Sequence, residues 1–209
     1  MEEVKYRYIT KCVSKSDINE HLPTLFKYAS QCDSVFETGV RGCVSSWALL
    51  YGLLSNANGK PKTLLMNDIN ECDVRELMSC SMNFPNIDVK YIWKNNLEIE
   101  LSQKFDLVFI DTWHVYAQLK RELNKFAPLT RKYIIMHDTE IDGIKGETIR
   151  CGWDSKQQSI DTGFAEEEIR RGLLPAIDEF LQSNPEWILE AKFMNNNGLT
   201  VLSRKTPLE

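Results

Sequence analysis

The stretch that decides the fold spans residues 34–47 and reads Ser34-Val-Phe-Glu-Thr-Gly-Val-Arg-Gly-Cys-Val-Ser-Ser-Trp47. A short apolar run ends at Glu37, two glycines follow, and leucines recur at helical spacing after Trp47. Glycines let a chain turn tightly and let a ligand approach the backbone. The start of a helix adds free N–H groups and the positive end of a dipole. The pattern predicts a strand, a glycine turn and a helix, with a ligand at the turn.

The spacing of the two glycines bears on the kind of ligand. A dinucleotide-binding turn has the pattern G-x-G-x-x-G, in which the second glycine lets a pyrophosphate come close. Here Gly39 and Gly42 stand as G-x-x-G, and Arg41 occupies the place of that second glycine. An acid followed by such a turn suits a ligand that carries a cation and lacks phosphate. An ordinary tight turn in an α/β protein is the alternative interpretation.

Apolar runs and helical patterns alternate along most of the chain. Near-continuous apolar strands that alternate with helices predict a parallel sheet covered on both faces. The predicted strands after the first are Thr63–Ile69, Asp88–Trp93, Phe105–Thr112 and Lys132–Thr139. The predicted helices are Ser14–Cys32, whose regular part starts at Pro23, Asp73–Asn83, Tyr116–Ala127, and Ala165–Gln182 with a kink at Pro175.

The two ends of the chain and one long connection depart from this alternation. Residues up to Val13 are predicted to form a strand or an arm. Residues 140–163 are polar and rich in glycine, and a connection of that length is often a lid or a binding loop. Trp187–Met194 and Leu199–Ser203 flank an Asn-Gly pair, which predicts an antiparallel hairpin at the end of the sheet.

Composition excludes several classes of protein. The chain has 209 residues and a formal net charge of −5, which disfavours binding to the phosphates of nucleic acid. No apolar run approaches the ~20 residues of a membrane helix, and the charged start lacks the apolar core of a signal peptide. None of the six cysteines forms a C-x-x-C pair, so we expect free thiols in a reducing cytoplasm. For a virus-encoded protein this would be the cytoplasm of the host cell.

Acidic residues follow several of the predicted strands. Ligands of parallel sheets bind outside the carboxyl ends of the strands, where Glu37, Asp68, Asp111 and Asp138 are expected. Asp68, after the second strand, can accept hydrogen bonds from both hydroxyls of a ribose. This role fits NAD and S-adenosylmethionine equally, and a helix N-cap is the structural alternative. Asn95 follows the third strand at the same edge of the sheet.

Asp111 and Asp138 end neighbouring strands, which lie about 5 Å apart in a parallel sheet. Two carboxylates that close repel each other unless a proton or a cation lies between them. Hard oxygen ligands in an open site suit Mg²⁺ or Mn²⁺. His137 is either a third ligand or points to the other face of its strand, because neighbouring side chains alternate.

These residues resemble a known family. Residues 37–42, Glu-Thr-Gly-Val-Arg-Gly, resemble motif I of the class I S-adenosylmethionine-dependent methyltransferases. The pattern D-x-x-H-x-Y from Asp111, followed by the pair His137-Asp138, resembles the metal-dependent sugar and natural-product O-methyltransferases. It is also similar to the group that contains cephalosporin hydroxylase and macrolide-sugar methyltransferases. The resemblance covers residues 18–138 best, and the family commonly has an acid where His137 stands.

The resemblance implies a fold and a set of roles. The fold is an α/β, Rossmann-like sheet, mostly parallel and seven-stranded, with a C-terminal antiparallel hairpin and helices on both faces. The implied catalytic residues are His114, as the general base, and Asp111, and the implied metal ligands are Asp111, His137 and Asp138. The implied cofactor contacts are Glu37, Thr38, Gly39, Arg41, Gly42, Ser45, Asp68, Ile69, Asn95 and Asp111. The expected substrate contacts are Trp113, Tyr116, Arg150 and Trp153, with packing or solvated roles as their alternatives.

Residues 1–209 are therefore expected to form a single methyltransferase domain. Its parts are an N-terminal arm and helix (1–32), a cofactor-binding core (33–139), a substrate or lid loop (140–164), and a C-terminal helix and hairpin (165–209). The expected reaction is the metal-assisted methylation, by S-adenosylmethionine, of a hydroxyl on a sugar or glycan terminus. The alternatives are a phenolic or catechol-type acceptor, an NAD-dependent oxidoreductase, or a non-catalytic binding module. No nucleic-acid or membrane partner is expected, and the sequence leaves the oligomeric state open.

Overall fold

A computed structural model describes residues 1–208 and contains a seven-stranded sheet. The strands are β1 (Ser34–Thr38), β2 (Lys62–Asp68), β3 (Ile87–Trp93), β4 (Phe105–Ile110), β5 (Thr130–His137), β6 (Trp187–Phe193) and β7 (Leu199–Arg204). Their order is β3-β2-β1-β4-β5-β7-β6. β1 to β5 are parallel to one another, and β7 pairs antiparallel with both β5 and β6. The predicted parallel sheet and the antiparallel hairpin are confirmed.

Helices cover both faces of this sheet. They are α1 (Glu2–Val13), α2 (Leu22–Ala29), α3 (Val44–Ser55), α4 (Arg75–Ser81), α5 (Tyr116–Phe126), α6 (Glu147–Arg150), α7 (Ser155–Thr162), α8 (Glu166–Arg170) and α9 (Leu173–Ser183). Val35 packs in the apolar cluster that includes α2 and α3, and its neighbour Phe36 packs in the one that includes α5 and α9. Successive side chains of a strand point to opposite faces, so β1 is buried from both sides.

The prediction of a strand or an arm at the N-terminus is wrong. Residues 2–13 form α1, which packs against α3 and buries only Val4 completely. A helix that buries so narrow a stripe has a weak apolar period, and this is why the sequence pattern did not reveal it. The predicted helix over residues 14–32 is shorter, because α2 begins at Leu22 with Pro23 in its first turn. That position tolerates proline, whose missing N–H has no partner there.

The C-terminal helix also differs from its prediction. α8 and α9 are separate helices, and the break lies at Arg171 and Gly172 instead of at Pro175, which occupies the first turn of α9. A Cβ at Gly172 would lie 2.3 Å from the carbonyl oxygen of Asp142, so the backbone passes the preceding segment too closely for any side chain. That segment is itself partly helical, since residues 140–163 contain α6 and α7.

The hairpin turn has the backbone that its sequence predicts. Asn196, Asn197 and Gly198 all have positive φ, at 44°, 71° and 95°, and asparagine and glycine tolerate this region best. Within residues 1–208 the six cysteines are free, as expected, and no helix is long and apolar enough to cross a membrane.

The turn after β1 depends on a single glycine, and its replacement is a test of the fold. A Cβ at Gly39, where φ is +93°, would lie 1.7 Å from the carbonyl oxygen of Asp111, whereas a Cβ at Gly42 meets nothing within 4 Å. We expect Gly39→Ala to lower the free energy of unfolding by about 3 kcal/mol or more. Urea denaturation measures the loss, with Gly42→Ala as the matched control. Equal stability of the two variants would contradict this account of the turn.

Candidate functional site

A cleft of about 860 Å³ opens at the carboxyl ends of the parallel strands. This is the edge of an open α/β sheet where ligands bind. Of the predicted site residues, those that line the cleft are Thr38, Gly39, Arg41, Gly42, Ser45, Asp68, Ile69, Asn95, Asp111, Trp113, His114 and Asp138. Those that do not line it are Glu37, Tyr116, His137, Arg150 and Trp153. The structure thus brings most of the predicted cofactor contacts, metal ligands and catalytic residues together in one cleft.

The floor of the cleft is the glycine turn itself. Gly39 sits against the backbone of Asp111 at the end of β4. Arg41 has a positive φ of 43° and donates its backbone N–H to Asp68 Oδ2 at 2.9 Å. Its guanidinium group turns outward and pairs with Asp17 at 2.5 Å. The turn therefore ties the ends of β1, β2 and β4 to one another.

Asp68 holds a fixed orientation at the end of β2. Besides the N–H of Arg41, it accepts the N–H of Asn70 at Oδ1, at 2.8 Å. It does not cap α4, which begins at Arg75 after Val74. A carboxylate has about four lone-pair positions, and these two backbone bonds leave acceptor capacity on a residue that lines the cleft.

Glu37 lies behind the turn, completely buried. Ser45, in the first turn of α3, donates its hydroxyl to Glu37 Oε1 at 2.5 Å, and Oε2 has no hydrogen-bond partner among residues 1–208. Burial raises the pKa of Glu37 to about 7, although the hydroxyls of Ser45 and Ser46 oppose this rise. The group is therefore a buried acid behind the glycine turn that titrates near neutrality.

A second buried carboxylate, Glu122, is a functional candidate that the sequence interpretation missed. It is fully buried on α5, and its Oε1 accepts hydrogen bonds from Asn96, Thr112 and Gln118 at 2.5, 2.6 and 2.8 Å. Those three residues all line the cleft. The signal was present, because Glu122 stands on the same helix face as the buried Leu119 and Leu123.

The hydrogen bonds continue from Asn96 across the sheet. Asn96 donates to Thr38 Oγ1 at 2.9 Å, and Thr38 donates to Asn67 Oδ1 at 2.9 Å. Asn67 in turn donates to the carbonyl groups of Ile92 and Lys94. This buried network holds the ends of β1, β2, β3 and β4 in register beneath the cleft.

A second group of lining residues lies at the ends of β4 and β5. It consists of Asp111, His114 and Asp138, whose side chains are in contact. His114 Nε2 lies 3.2 Å from Asp111 Oδ1 and 3.1 Å from Asp138 Oδ2. Asp138 adopts a positive φ of 56°, which turns it away from the regular path of β5. This turn explains how Asp138, just after the strand, reaches the same point as Asp111.

His114 has carboxylates around both of its ring nitrogens. Nδ1 lies 3.5 Å from Asp142 Oδ2 and 3.5 Å from Glu147 Oε2. Burial alone would lower the pKa of His114, but the neighbouring Asp111, Asp142 and Asp138 outweigh burial and raise it well above the ordinary value. These carboxylates favour the protonated form of His114 as long as no cation is bound between them, and its predicted role as general base stays a prediction.

His137 lies directly beneath the two aspartates and is almost completely buried. Nδ1 is 3.3 Å from Asp111 Oδ1 and 3.3 Å from Asp138 Oδ2, and Nε2 is 3.2 Å from the carbonyl oxygen of Asn196. Burial lowers its pKa, but the negative charge of Asp111 and the hydrogen bonds to both aspartates outweigh this and raise it. Nε2–H donates to the carbonyl group of Asn196 and Nδ1 faces the two aspartates, so His137 holds both carboxylates from one side.

The four predicted substrate residues occupy different surroundings. Trp113 lines the cleft, stacks on Phe164 at a ring-centroid distance of 6.4 Å, and donates Nε1–H to Thr148. Tyr116 is buried and donates its hydroxyl to Glu179. Arg150 forms a two-point ion pair with Asp142, at 2.6 and 2.8 Å, and Trp153 is half-exposed outside the cleft. Only Trp113 is placed to touch a ligand in the cleft.

The donor set at this end fits a divalent cation. Asp111, His114 and Asp138 each offer one ligand atom, and these atoms lie within 4.8 Å of one another. Asp138 Oδ1 is buried and has no hydrogen-bond partner within residues 1–208, which leaves an acceptor oxygen available. Two carboxylates with one imidazole suit Mn²⁺ or Mg²⁺. The geometry favours His114, in place of His137, as the third member of the set.

No protein-family model matches this chain, and no curated protein matches its sequence. Solved structures do share its fold. An S-adenosylhomocysteine-bound methyltransferase of Podospora anserina is 14% identical, with a TM-score of 0.54, and the match covers 96% of this chain and 87% of that one. The N-methyltransferase NodS of Bradyrhizobium japonicum, with bound S-adenosylhomocysteine, is 10% identical, with a TM-score of 0.55 and 97% coverage of both chains.

A third similar structure is the O-methyltransferase of tomaymycin synthesis from Streptomyces achromogenes, in complex with S-adenosylmethionine. It is 12% identical, with a TM-score of 0.52, and the match covers 92% of this chain and 82% of that one. At such identities the likeness concerns the fold. The chain has the Rossmann-like methyltransferase fold, as the resemblance of its motifs implied.

The buried Glu37 predicts a pH-dependent effect on stability. Because its pKa is about 7 in the folded protein and 4.5 ordinarily, the folded state binds its proton more tightly than the unfolded state does. Glu37 therefore costs stability as the pH rises from the lower value to the higher one. We expect Glu37→Gln to gain up to ~3 kcal/mol relative to wild type across this window.

Urea denaturation without cofactor, at about pH 5 and about pH 8, measures this difference. Glu100→Gln removes an exposed acid and is the matched control. If the difference between Glu37→Gln and wild type is the same at both pH values, Glu37 is not the titrating group described above.

Proposed function

We propose that this protein is an S-adenosylmethionine-dependent O-methyltransferase that acts on a hydroxyl of a sugar or glycan terminus. The observation that carries the proposal is the position of Asp68, fixed by backbone N–H groups beside the Gly39 turn, in the cleft of a methyltransferase-type sheet. A carboxylate there can accept hydrogen bonds from both hydroxyls of the cofactor ribose. Structures of similar fold hold S-adenosylhomocysteine or S-adenosylmethionine.

The charge of the cleft supports this cofactor over NAD. The lining acids of the cofactor half include Asp68, Glu71 and Glu98, and these favour the sulfonium and ammonium of S-adenosylmethionine and disfavour a pyrophosphate. Arg41 fills the position where a pyrophosphate would approach a glycine. The antiparallel β7 between β5 and β6 also departs from the all-parallel dinucleotide-binding sheet.

The remaining predicted cofactor contacts divide between two roles. Ile69 lines the cleft with 63% of its surface exposed, which gives the adenine an apolar neighbour. Asn95 uses its side-chain oxygen to accept the N–H of Leu97 at 3.0 Å, so its amide group is held in place at the cleft wall. Glu37 acts from behind the turn through Ser45, which does line the cleft.

The reaction half holds the acceptor hydroxyl near the methyl group. Asp111, His114 and Asp138 would hold a divalent cation, which when bound acts as a Lewis acid and favours the ionised form of the hydroxyl. Trp113 and Phe164 form an aromatic wall for the acceptor ring, and the surrounding carboxylates accept hydrogen bonds from further hydroxyls. A sugar fits such a polar wall better than a phenol that offers one or two hydroxyls.

In the transfer itself, the acceptor oxygen attacks the methyl carbon and the carbon–sulfur bond breaks. The residues of the cleft contribute mainly by positioning, because the sulfonium methyl is already electrophilic. The acceptor proton needs a base, and His114 is assigned instead to the cation, which its Nε2 would bind between Asp111 and Asp138. We assign this role to Glu147, a carboxylate of the cleft wall whose Oε2 is 3.5 Å from His114 Nδ1.

The first experiment is a calorimetric titration with S-adenosylhomocysteine after chelator treatment, repeated with added Mn²⁺ or Mg²⁺. Micromolar binding supports the cofactor assignment and justifies a panel of glycosides and phenols as acceptors. If S-adenosylhomocysteine does not bind under either condition, the proposed function is contradicted. An NAD-dependent oxidoreductase or a non-catalytic binding module then explains the cleft better.

The proposed contact between Asp68 and the cofactor ribose can be tested by mutation. We expect Asp68→Ala to weaken S-adenosylhomocysteine binding on the order of a hundredfold, since two hydrogen bonds to a charged acceptor are lost. Calorimetry measures the affinity, and thermal unfolding shows that the variant is folded. The control is Asp88→Ala, which removes an exposed acid outside the cleft. Unchanged affinity in Asp68→Ala would remove Asp68 from the ribose site.

The cation assignment has its own test, which does not depend on activity. We expect Asp138→Asn to weaken Mn²⁺ binding roughly tenfold or more, because one charged ligand of three is lost. Electron paramagnetic resonance of free Mn²⁺ gives the affinity. Asp161→Asn removes another acid of the cleft, outside the donor set, and should bind Mn²⁺ as wild type does. Equal weakening in both variants would indicate general attraction to an acidic cleft.

A further inference from the structure

The part of the cleft around Asp111, His114, Asp138, Glu147 and Asp161, which we call the acceptor half, is negatively charged. Its charge disfavours anionic acceptors. The whole cleft is lined by seven acids, namely Asp68, Glu71, Glu98, Asp111, Asp138, Glu147 and Asp161. Its lining contains one arginine, Arg41, no lysine, and one histidine, His114. The guanidinium of Arg41 is paired with Asp17, and His114 lies within 3.5 Å of four carboxylates. Neither side chain is available to an anion.

We propose that this half of the cleft accepts a neutral or cationic hydroxylated ring and excludes acceptors that carry phosphate, diphosphate or carboxylate groups. The inference rests on the proposed function and specifies the acceptor class of the same site. Like charges placed opposite one another in a binding site reject the wrong partner. A cation held by Asp111, His114 and Asp138 would offset the two aspartates, and Glu147 and Asp161 would still face the acceptor.

Two arginines outside the lining, Arg150 and Arg121, contact lining residues and are paired with carboxylates. Arg150 is bound at two points by Asp142 and lies 3.7 Å from Glu147. Arg121 stacks on Phe164 at 4.0 Å from the ring centre and is paired with Glu168 at 3.0 Å. Both of these guanidinium groups are thus already paired with a carboxylate of this chain.

The proposal places the reaction within a sequence of steps. Sugars that await transfer carry a nucleotide diphosphate, and activated acyl groups carry the phosphates of coenzyme A. Both kinds of carrier are multiply anionic and would meet Glu147 and Asp161 at the cleft wall. A sugar acceptor would therefore reach this site after a glycosyl-transfer reaction has removed its carrier.

A series of three probes isolates the charge from the shape of the ring. All three probes have a ring with two neighbouring hydroxyls, a feature that sugars share. Dopamine carries one positive charge, 4-methylcatechol is neutral, and protocatechuate carries one negative charge. Their binding to the protein is measured by calorimetry in the presence of saturating S-adenosylhomocysteine. We expect dopamine to bind on the order of tenfold more tightly than protocatechuate, with a smaller ratio at high salt.

The matched variants reverse one cleft charge and one distant charge. Asp161→Lys changes an exposed acid of the cleft wall, and Asp178→Lys makes the same change on α9 outside the cleft. We expect Asp161→Lys to narrow or invert the preference for dopamine, and Asp178→Lys to retain it. S-adenosylhomocysteine affinity should be the same in all three proteins.

Three results would overturn the proposal. They are protocatechuate binding as tightly as dopamine, no binding of either dopamine or 4-methylcatechol, and an equal effect of both lysine variants. A failure of the proposed function is distinguished by the absence of S-adenosylhomocysteine binding. In that case the same probe series on the free protein still reports whether the cleft rejects anions.

Discussion

The site depends on the close contact between Gly39 and the backbone of Asp111. A Cβ at position 39 would overlap the carbonyl oxygen of Asp111, so only glycine lets the turn after β1 rest on the end of β4. Once it rests there, the N–H of Arg41 reaches Asp68 and the ends of three strands share one surface. The cofactor half and the reaction half of the cleft are adjacent because of this contact.

The reaction half depends in addition on the C-terminal hairpin. The carbonyl oxygen of Asn196 lies 3.2 Å from His137 Nε2, and His137 holds Asp111 and Asp138 from below. His21, from the segment before α2, reaches the same turn through the carbonyl oxygens of Asn195 and Asn196. Segments from both ends of the chain thus support the two aspartates, which makes their placement a property of the whole fold.

The sequence predicted the features that depend on local pattern. Apolar runs predicted β1 to β5, and the Asn-Gly pair predicted the hairpin, because backbone preference and burial act within a few residues. α1 was missed because only Val4 is completely buried, while Tyr8 and Cys12 pack on the core with part of their surface exposed. The sequence did not predict that His114 would join the donor set, because the positive φ of Asp138 and the contact of its carboxylate with His114 Nε2 depend on the folded chain. Glu122 was missed because two of its three partners, Asn96 and Thr112, lie outside α5 and meet it only in the folded chain.

The acidity of the cleft assists binding more than it assists the chemical step. In the proposed reaction the sulfonium charge is lost as the methyl group leaves, so carboxylates near it stabilise the reactant more than the transition state. Only interactions that strengthen in the transition state accelerate a reaction. Under the proposed function, the acids near the cofactor would therefore select S-adenosylmethionine over its neutral product and favour product release. Acceleration would then come from the end of the cleft that holds Asp111, His114, Asp138 and Glu147, which we propose to align the acceptor and take its proton.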